Sequence, residues 1–358
     1  MNRILVGTQK GLVIFARGEQ NWYCEASSFV GLPVTMVYTD PRNGTWWVGI
    51  AHKHWGQKLH RSFDQGQNWE EVRVPKYPKS SEVRPGKPAS LRQIWVMQHG
   101  GLDRPNRLFI GTEPGGLFLS EDGGDSFHLV ESLWNHPSRP DHWFGTGTDY
   151  PEIHSIVVDP RDSDHLYVAV SCAGVFESKD AGQSWHPRNE GLVAAYLPNP
   201  SVEVGHDPHR LLMCASQPEV LWQQNHCGIF RSTNAGQSWE NVTDKRGLAD
   251  YGFALAVDPN DPLRAWVIPA TSDAIRVAPD LALCVCVSED GGQNWRALRS
   301  GLPQEHTYDL AFRHALDLRA GTLAFGTNNG NLYISENFGE SWQTISQQLA
   351  RVNVVSFA

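Results

Sequence analysis

The stretch SKDAGQSW at 178–185 recurs along the chain on one skeleton, Ser-x-Asp/Asn-x-Gly-x-x-Trp/Phe. Its other copies are SFDQGQNW at 62–69, SEDGGDSF at 120–127, STNAGQSW at 232–239, SEDGGQNW at 288–295 and SENFGESW at 335–342. A worn seventh, ARGEQNW at 16–22, keeps Gly18 and Trp22 but lacks the serine and the acid. The closing aromatics at 22, 69, 127, 185, 239, 295 and 342 stand 47 to 58 residues apart, the length of one four-stranded propeller blade. The phrase reads as a hairpin turn. Its Asp or Asn bonds the backbone two residues on, and glycine supplies a positive φ. The aromatic ring then packs between neighbouring blades, contributing about 2–3 kcal/mol of apolar burial.

Upstream of the phrase, apolar strands end in Asp-Pro: VTMVYTDP at 34–41, IHSIVVDP at 153–160, VEVGHDP at 202–208 and FALAVDP at 253–259. Second strands follow at 45–51, 165–171, 210–216 and 264–270, and a third (GLFLS, GVFES, GIFRS, NLYIS) leads into the phrase. Alternation and β-branched or aromatic content mark these as strands. The N-terminus supplies three strands, RILVGT, GLVIFAR and WYCEAS, and the C-terminal RVNVVSFA resembles the first strand of the other blades. Pairing the two ends removes an open edge. The expectation is therefore an all-β, seven-bladed β-propeller in one domain over 1–358. Its blades lie at 351–358 with 1–30, 33–73, 91–132, 153–188, 201–244, 250–299 and 306–347.

These repeats resemble the Asp-box (bacterial neuraminidase repeat) superfamily of propellers across essentially the whole chain. That resemblance implies a sialidase-like or glycosyl-hydrolase-like repeat protein. The superfamily holds sialidases, xyloglucan-active glycosidases, sortilin-type receptors and photosystem II assembly factors, so it does not select a function. No Arg-Ile-Pro motif and no evident set of three arginines favours a classical sialidase.

Composition narrows the partners. Lys and Arg total 30 against 39 Asp and Glu, a net charge of −9, which argues against a nucleic-acid surface spread over the molecule. No apolar run reaches the roughly 18 residues of a membrane span. The opening MNRILVGTQKGL lacks the apolar core of a signal peptide, and six scattered cysteines make no dense framework; a cytoplasmic protein with reduced thiols is expected.

Turns joining strands one and two, or three and four, share one face of a propeller. The long insertions fall on the other face, at the channel mouth, where a small-molecule, glycan or protein ligand is expected. Four chemistries compete there. For glycan hydrolysis the carboxylates are Asp149, Glu152, Glu203, Asp273 and Asp309, with Trp55, Trp134, Trp143 and Trp222 as stacking platforms. Gln224, Asn225, Tyr251 and Tyr308 complete the ligand-contact set. A zinc or iron ion would draw on His52, His54, His142, His154 and His226. His206 and His209 read as ordering a scaffold turn. Cys172 or Cys227 beside a histidine would make a thiol nucleophile, whereas Cys284 and Cys286 read as packed. Finally, a non-catalytic assembly scaffold would use the rim, and the basic segment 73–93, to hold an acidic protein.

Overall fold

The computed structural model describes residues 3–145 and 150–358. Seven four-stranded antiparallel sheets, blades I to VII, follow one another around a ring, and a short hairpin (Glu82–Arg84 with Lys87–Pro88) decorates the rim. The innermost strands are Val352–Phe357 (I), Val34–Thr39 (II), Gln93–His99 (III), Ile153–Asp159 (IV), Pro208–Met213 (V), Gly252–Val257 (VI) and Leu316–Arg319 (VII). They lie side by side around a central channel. Blade I is completed from both ends of the chain: Val352–Phe357 pairs antiparallel with Arg3–Thr8, placing Ile4 opposite Phe357 and Val6 opposite Val355.

The apolar core is divided into wedges, one at each junction between neighbouring blades. The wedge between I and VII holds Ile4, Val6, Val355 and Phe357 beside Ala324 and Ile334. The wedge between IV and V packs Tyr167 and Ala169 against Leu211, Leu221, Phe230 and Trp239. Trp239 Nε1 reaches back to Arg188 O at 2.8 Å, and Trp295 Nε1 to Val242 O at 2.7 Å, so each ring clamps its own blade onto the one before.

The six full copies of the phrase form the same turn, with a left-handed pair at each. In blade IV, Gly182 N–H donates to Ser178 Oγ at 2.8 Å, and Ser178 Oγ donates to Asp180 Oδ1 at 2.8 Å. Asp180 Oδ1 then accepts Ser184 N–H at 2.9 Å, four residues on rather than two. The left-handed pair Ala181 (φ 58°) and Gly182 (φ 87°) curls the chain far enough to aim that more distant N–H at the carboxylate.

Blade V departs from the expected strands. Its inner strand is Pro208–Met213 and its second is Leu221–Asn225, so 202–208 is not a strand and Trp222 to Asn225 are not loop. The Asp-Pro dipeptide misleads because it has two uses. Asp40, Asp159 and Asp258 end inner strands and accept backbone N–H groups two residues on. Asp207 instead precedes an inner strand whose first residue is Pro208, a position proline tolerates, and the strand turns back through Cys214 N–H to Val220 O. Asp207 therefore sits at the opposite end of the channel from the other three.

Removing residues 351–358 strips the closing strand from Ile4, Leu5 and Val6, all fully buried. The truncated chain should aggregate or melt well below the full-length protein in a thermal scan, and an unchanged transition would contradict ring closure.

Candidate functional site

The loop face is built at the entrances of the inner strands. In six blades the register slips by one residue on the inner strand, at Asn353, Thr35, Trp95, His154, His209 and Phe253. A bulge re-aims its side chain, and here the slips cluster at the channel mouth. Trp95, His209 and Phe253 line a cavity of about 460 Å3, together with Glu152, Asp207, Tyr251, Phe312 and Arg313. Two loops between second and third strands close it, bringing His226 from blade V and Asp273 and Arg276 from blade VI.

At its centre, Asp207 Oδ1 accepts Cys172 N–H at 3.3 Å. Its Oδ2 faces His209 Nε2 at 3.5 Å and His226 Nδ1 at 3.6 Å. His209 Nδ1 lies 2.6 Å from Gly252 O. His226 Nε2 lies 3.8 Å from Asp273 Oδ2, while Asp273 Oδ1 accepts Arg276 Nη2 at 2.6 Å and Tyr251 Oη at 3.3 Å. Burial opposes ionisation of Asp207, but the two imidazoles and Arg313 outweigh it and hold the carboxyl well below its usual range. Complete burial pushes His209 down toward the neutral ring. Asp207 raises His226 against its own burial, and Arg276 holds Asp273 low.

An adjoining cavity of about 330 Å3 shares Trp95, Phe312 and Arg313 and adds Glu113 and Arg351. Arg276, Arg313 and Arg351, from three different blades, are thus brought to one mouth, a gathering the sequence reading did not find. Arg313 lies over the rings of Trp95 and Phe253, at 5.5 and 5.4 Å, and makes no ion pair among the described residues. A cavity of about 410 Å3 opens at the other end of the channel. It is walled by the inner strands themselves, and both its acids are engaged, Asp317 by Phe357 N–H and Leu318 N–H and Asp159 by Arg161. The loop-face cavity is where polar groups converge.

Of the carboxylates named from sequence, Glu152 and Asp273 line the cavity. Glu203 is exposed away from it, and Asp309 is buried holding Thr327 and Asn331. Asp149 lies outside the described residues. Tyr251 is in the wall, whereas Tyr308 is exposed elsewhere. The tryptophans are corrected. Trp134, Trp143 and Trp222 are 4%, 8% and 0% exposed and belong to the packing. Trp55 is exposed on the tight His52–Gly56 hairpin, outside the cavity. Gln224 and Asn225 are buried strand residues bonded to Asp250 O and to Gln223 Oε1.

The five histidines do not converge. His52 Nδ1 accepts the N–H groups of His54 and Trp55, which makes His-x-His a turn device. His142 is exposed in the short helix Arg139–His142, and His154 is buried against Ser155 Oγ. His226 alone of that set joins a cluster, with Asp207 and with His209, whose sequence setting suggests only a scaffold turn. Cys172 is fully buried, and burial pushes the Cys227 thiol up, away from a thiolate. All six cysteines are free.

No model of a protein family matches the chain. Among curated proteins it is 28% identical over 268 residues to an oligoxyloglucan-reducing end-specific xyloglucanase of Emericella nidulans, covering 67% of this chain and 31% of that protein. A xyloglucanase, Xgh74A, of Acetivibrio thermocellus is 24% identical over 266 residues, covering 67% and 29%. The chain spans less than a third of the length of these relatives. Among solved structures, a Niastella koreensis GH74 enzyme superimposes with a TM-score of 0.59 at 16% identity, over 94% of this chain and 53% of that one. The xyloglucanase homologues and the seven blades fit a glycosyl-hydrolase-like propeller. Among the described residues, no helix is long and apolar enough to cross a membrane.

Alkylation by iodoacetamide checks the thiol correction. Exposed Cys24 should react first in the native protein and Cys172 only on unfolding; rapid native labelling of Cys172 would restore it as a nucleophile.

Proposed function

We propose that the chain is a glycan-directed hydrolase acting in the loop-face cavity on a short, acidic sugar. The observation that carries this reading is the convergence, in one concave site, of three carboxylates, Glu152, Asp207 and Asp273, a ring-lined wall and Arg313, which makes no ion pair among the described residues. Asp273 is half-exposed, fixed by Arg276 and Tyr251, and kept ionised. It is the carboxylate placed to take a proton from an attacking water. Glu152, buried in the cavity wall, is a second carboxylate. Trp95 and Phe312, the partly exposed rings of the wall, offer surface to a pyranose, and Arg313, with no ion pair among the described residues, suits a carboxylate on the sugar.

A cavity of about 460 Å3 is at the small end for a ligand site, which favours a chain end over a long polymer segment. The xyloglucanase relatives support a glycan substrate, and the open mouth leaves room for further sugars outside. A cytoplasmic location remains part of this proposal, resting on the free cysteines alone.

A panel of neutral and acidic aryl glycosides, with xyloglucan oligosaccharides, tests the reading. Turnover of an acidic member is expected, with Asp273→Asn reducing kcat by roughly 100-fold or more and Arg313→Met raising KM, both variants melting like the parent. Failure of every member to turn over, or turnover untouched by Asp273→Asn, would overturn it.

A further inference from the structure

Asp207, His209 and His226 present one ligand atom each, all within 4.8 Å of one another, and all three face the cavity. The two contacts to Asp207 Oδ2, 3.5 and 3.6 Å, exceed the roughly 3.2 Å limit of a good hydrogen bond to nitrogen. They match instead the edge of a coordination polyhedron. Atoms about 2.0–2.2 Å from a shared ion stand about 3.3–3.6 Å apart at tetrahedral angles.

The far side of each ring supplies the second observation. His209 Nδ1 is 2.6 Å from Gly252 O, a carbonyl that can only accept, so the proton is on Nδ1. In the neutral ring Nε2 then carries a lone pair, and that lone pair is aimed at a carboxylate. The pair attracts when a positive charge, a proton on the ring or a metal ion, stands between them, and the 3.5 and 3.6 Å separations leave room for the ion. His226 does not repeat that bond: its Nδ1 faces Asp207, and its Nε2 lies 3.8 Å from Asp273 Oδ2, an ion-pair distance beyond direct hydrogen bonding. An outer acceptor on the distal nitrogen is the usual support of a metal-bound imidazole. His209 is 1% exposed, and Asp207 and His226 line the cavity beside it.

We propose that Asp207 Oδ2, His209 Nε2 and His226 Nδ1 bind a divalent first-row ion, Zn2+ by preference of two imidazoles and one carboxylate. Three protein ligands and an open position would hold a water or a ligand oxygen facing Arg276 and Arg313. The ion site stands apart from the hydrolase reading, because uptake is measured without any substrate.

The test loads full-length protein with Zn2+, removes excess ion by dialysis, and counts zinc by mass spectrometry. One ion per chain is expected. His226→Gln, a half-buried position where folding is checked by circular dichroism, should weaken binding by at least about 100-fold, more than the roughly 10–100-fold lost with an outer partner. The double variant His52→Gln/His54→Gln should load like the parent. X-ray absorption on the zinc-loaded parent needs no variant and should show two imidazoles. Sub-stoichiometric zinc, uptake abolished by the His52/His54 changes, or zinc without imidazole scattering would overturn the assignment. Stoichiometric zinc with no hydrolysis would leave the ion site standing and remove the activity proposed above.

Discussion

Closure of the ring through two backbone strands from opposite ends of the chain is the constraint on which the rest depends. Without Val352–Phe357, the strand Arg3–Thr8 is an exposed apolar edge, and the wedges on either side of blade I lose a wall. With it, seven wedges close on one another. Because no wedge is shared by more than two blades, stability is spread around the circle, as in other repeat architectures. The same closure forces seven strand entrances onto one mouth, and so lets residues far apart in sequence meet.

The fold was legible because its code is local. A serine, an acid and a glycine within five residues suffice to build the turn seen at Ser178, Asp180 and Gly182, and the following aromatic tells where the next junction lies. Within the turn the acid reaches further than its spacing suggests, since two left-handed residues carry the accepted N–H two positions along; in the strands, blade V departs from the pattern.

The site was legible in part. Of the residues named from sequence on the loop face, Glu152, Tyr251, Asp273 and His226 line the cavity, beside others the sequence did not single out. Asp207 and His209 were hidden by a false rhyme: the same Asp-Pro that ends three inner strands begins a fourth. A one-residue bulge at His209 then aims the ring at the mouth, and no pattern in the sequence announces a bulge. Arg276, Arg313 and Arg351 come from three blades and have no common spacing. The tryptophans erred in the other direction. Trp222 belongs to a strand once blade V is aligned correctly, and its indole donates to Pro262 O within the scaffold. The available hint was His-Asp-Pro-His at 206–209, in which two charged or titratable residues flank a strand start.

The chemistry proposed for this mouth draws its strength from burial. Asp207 is withdrawn from water, ringed by imidazoles, and anchored from behind by the Cys172 amide, so its charge is held in place for whatever cation or proton occupies the space before it. Crystals grown with zinc and measured on both sides of its absorption edge test this account most directly. An anomalous peak bounded by Asp207, His209 and His226 is the predicted result. A mouth without a peak, or a peak seated on His52 and His54, would contradict it.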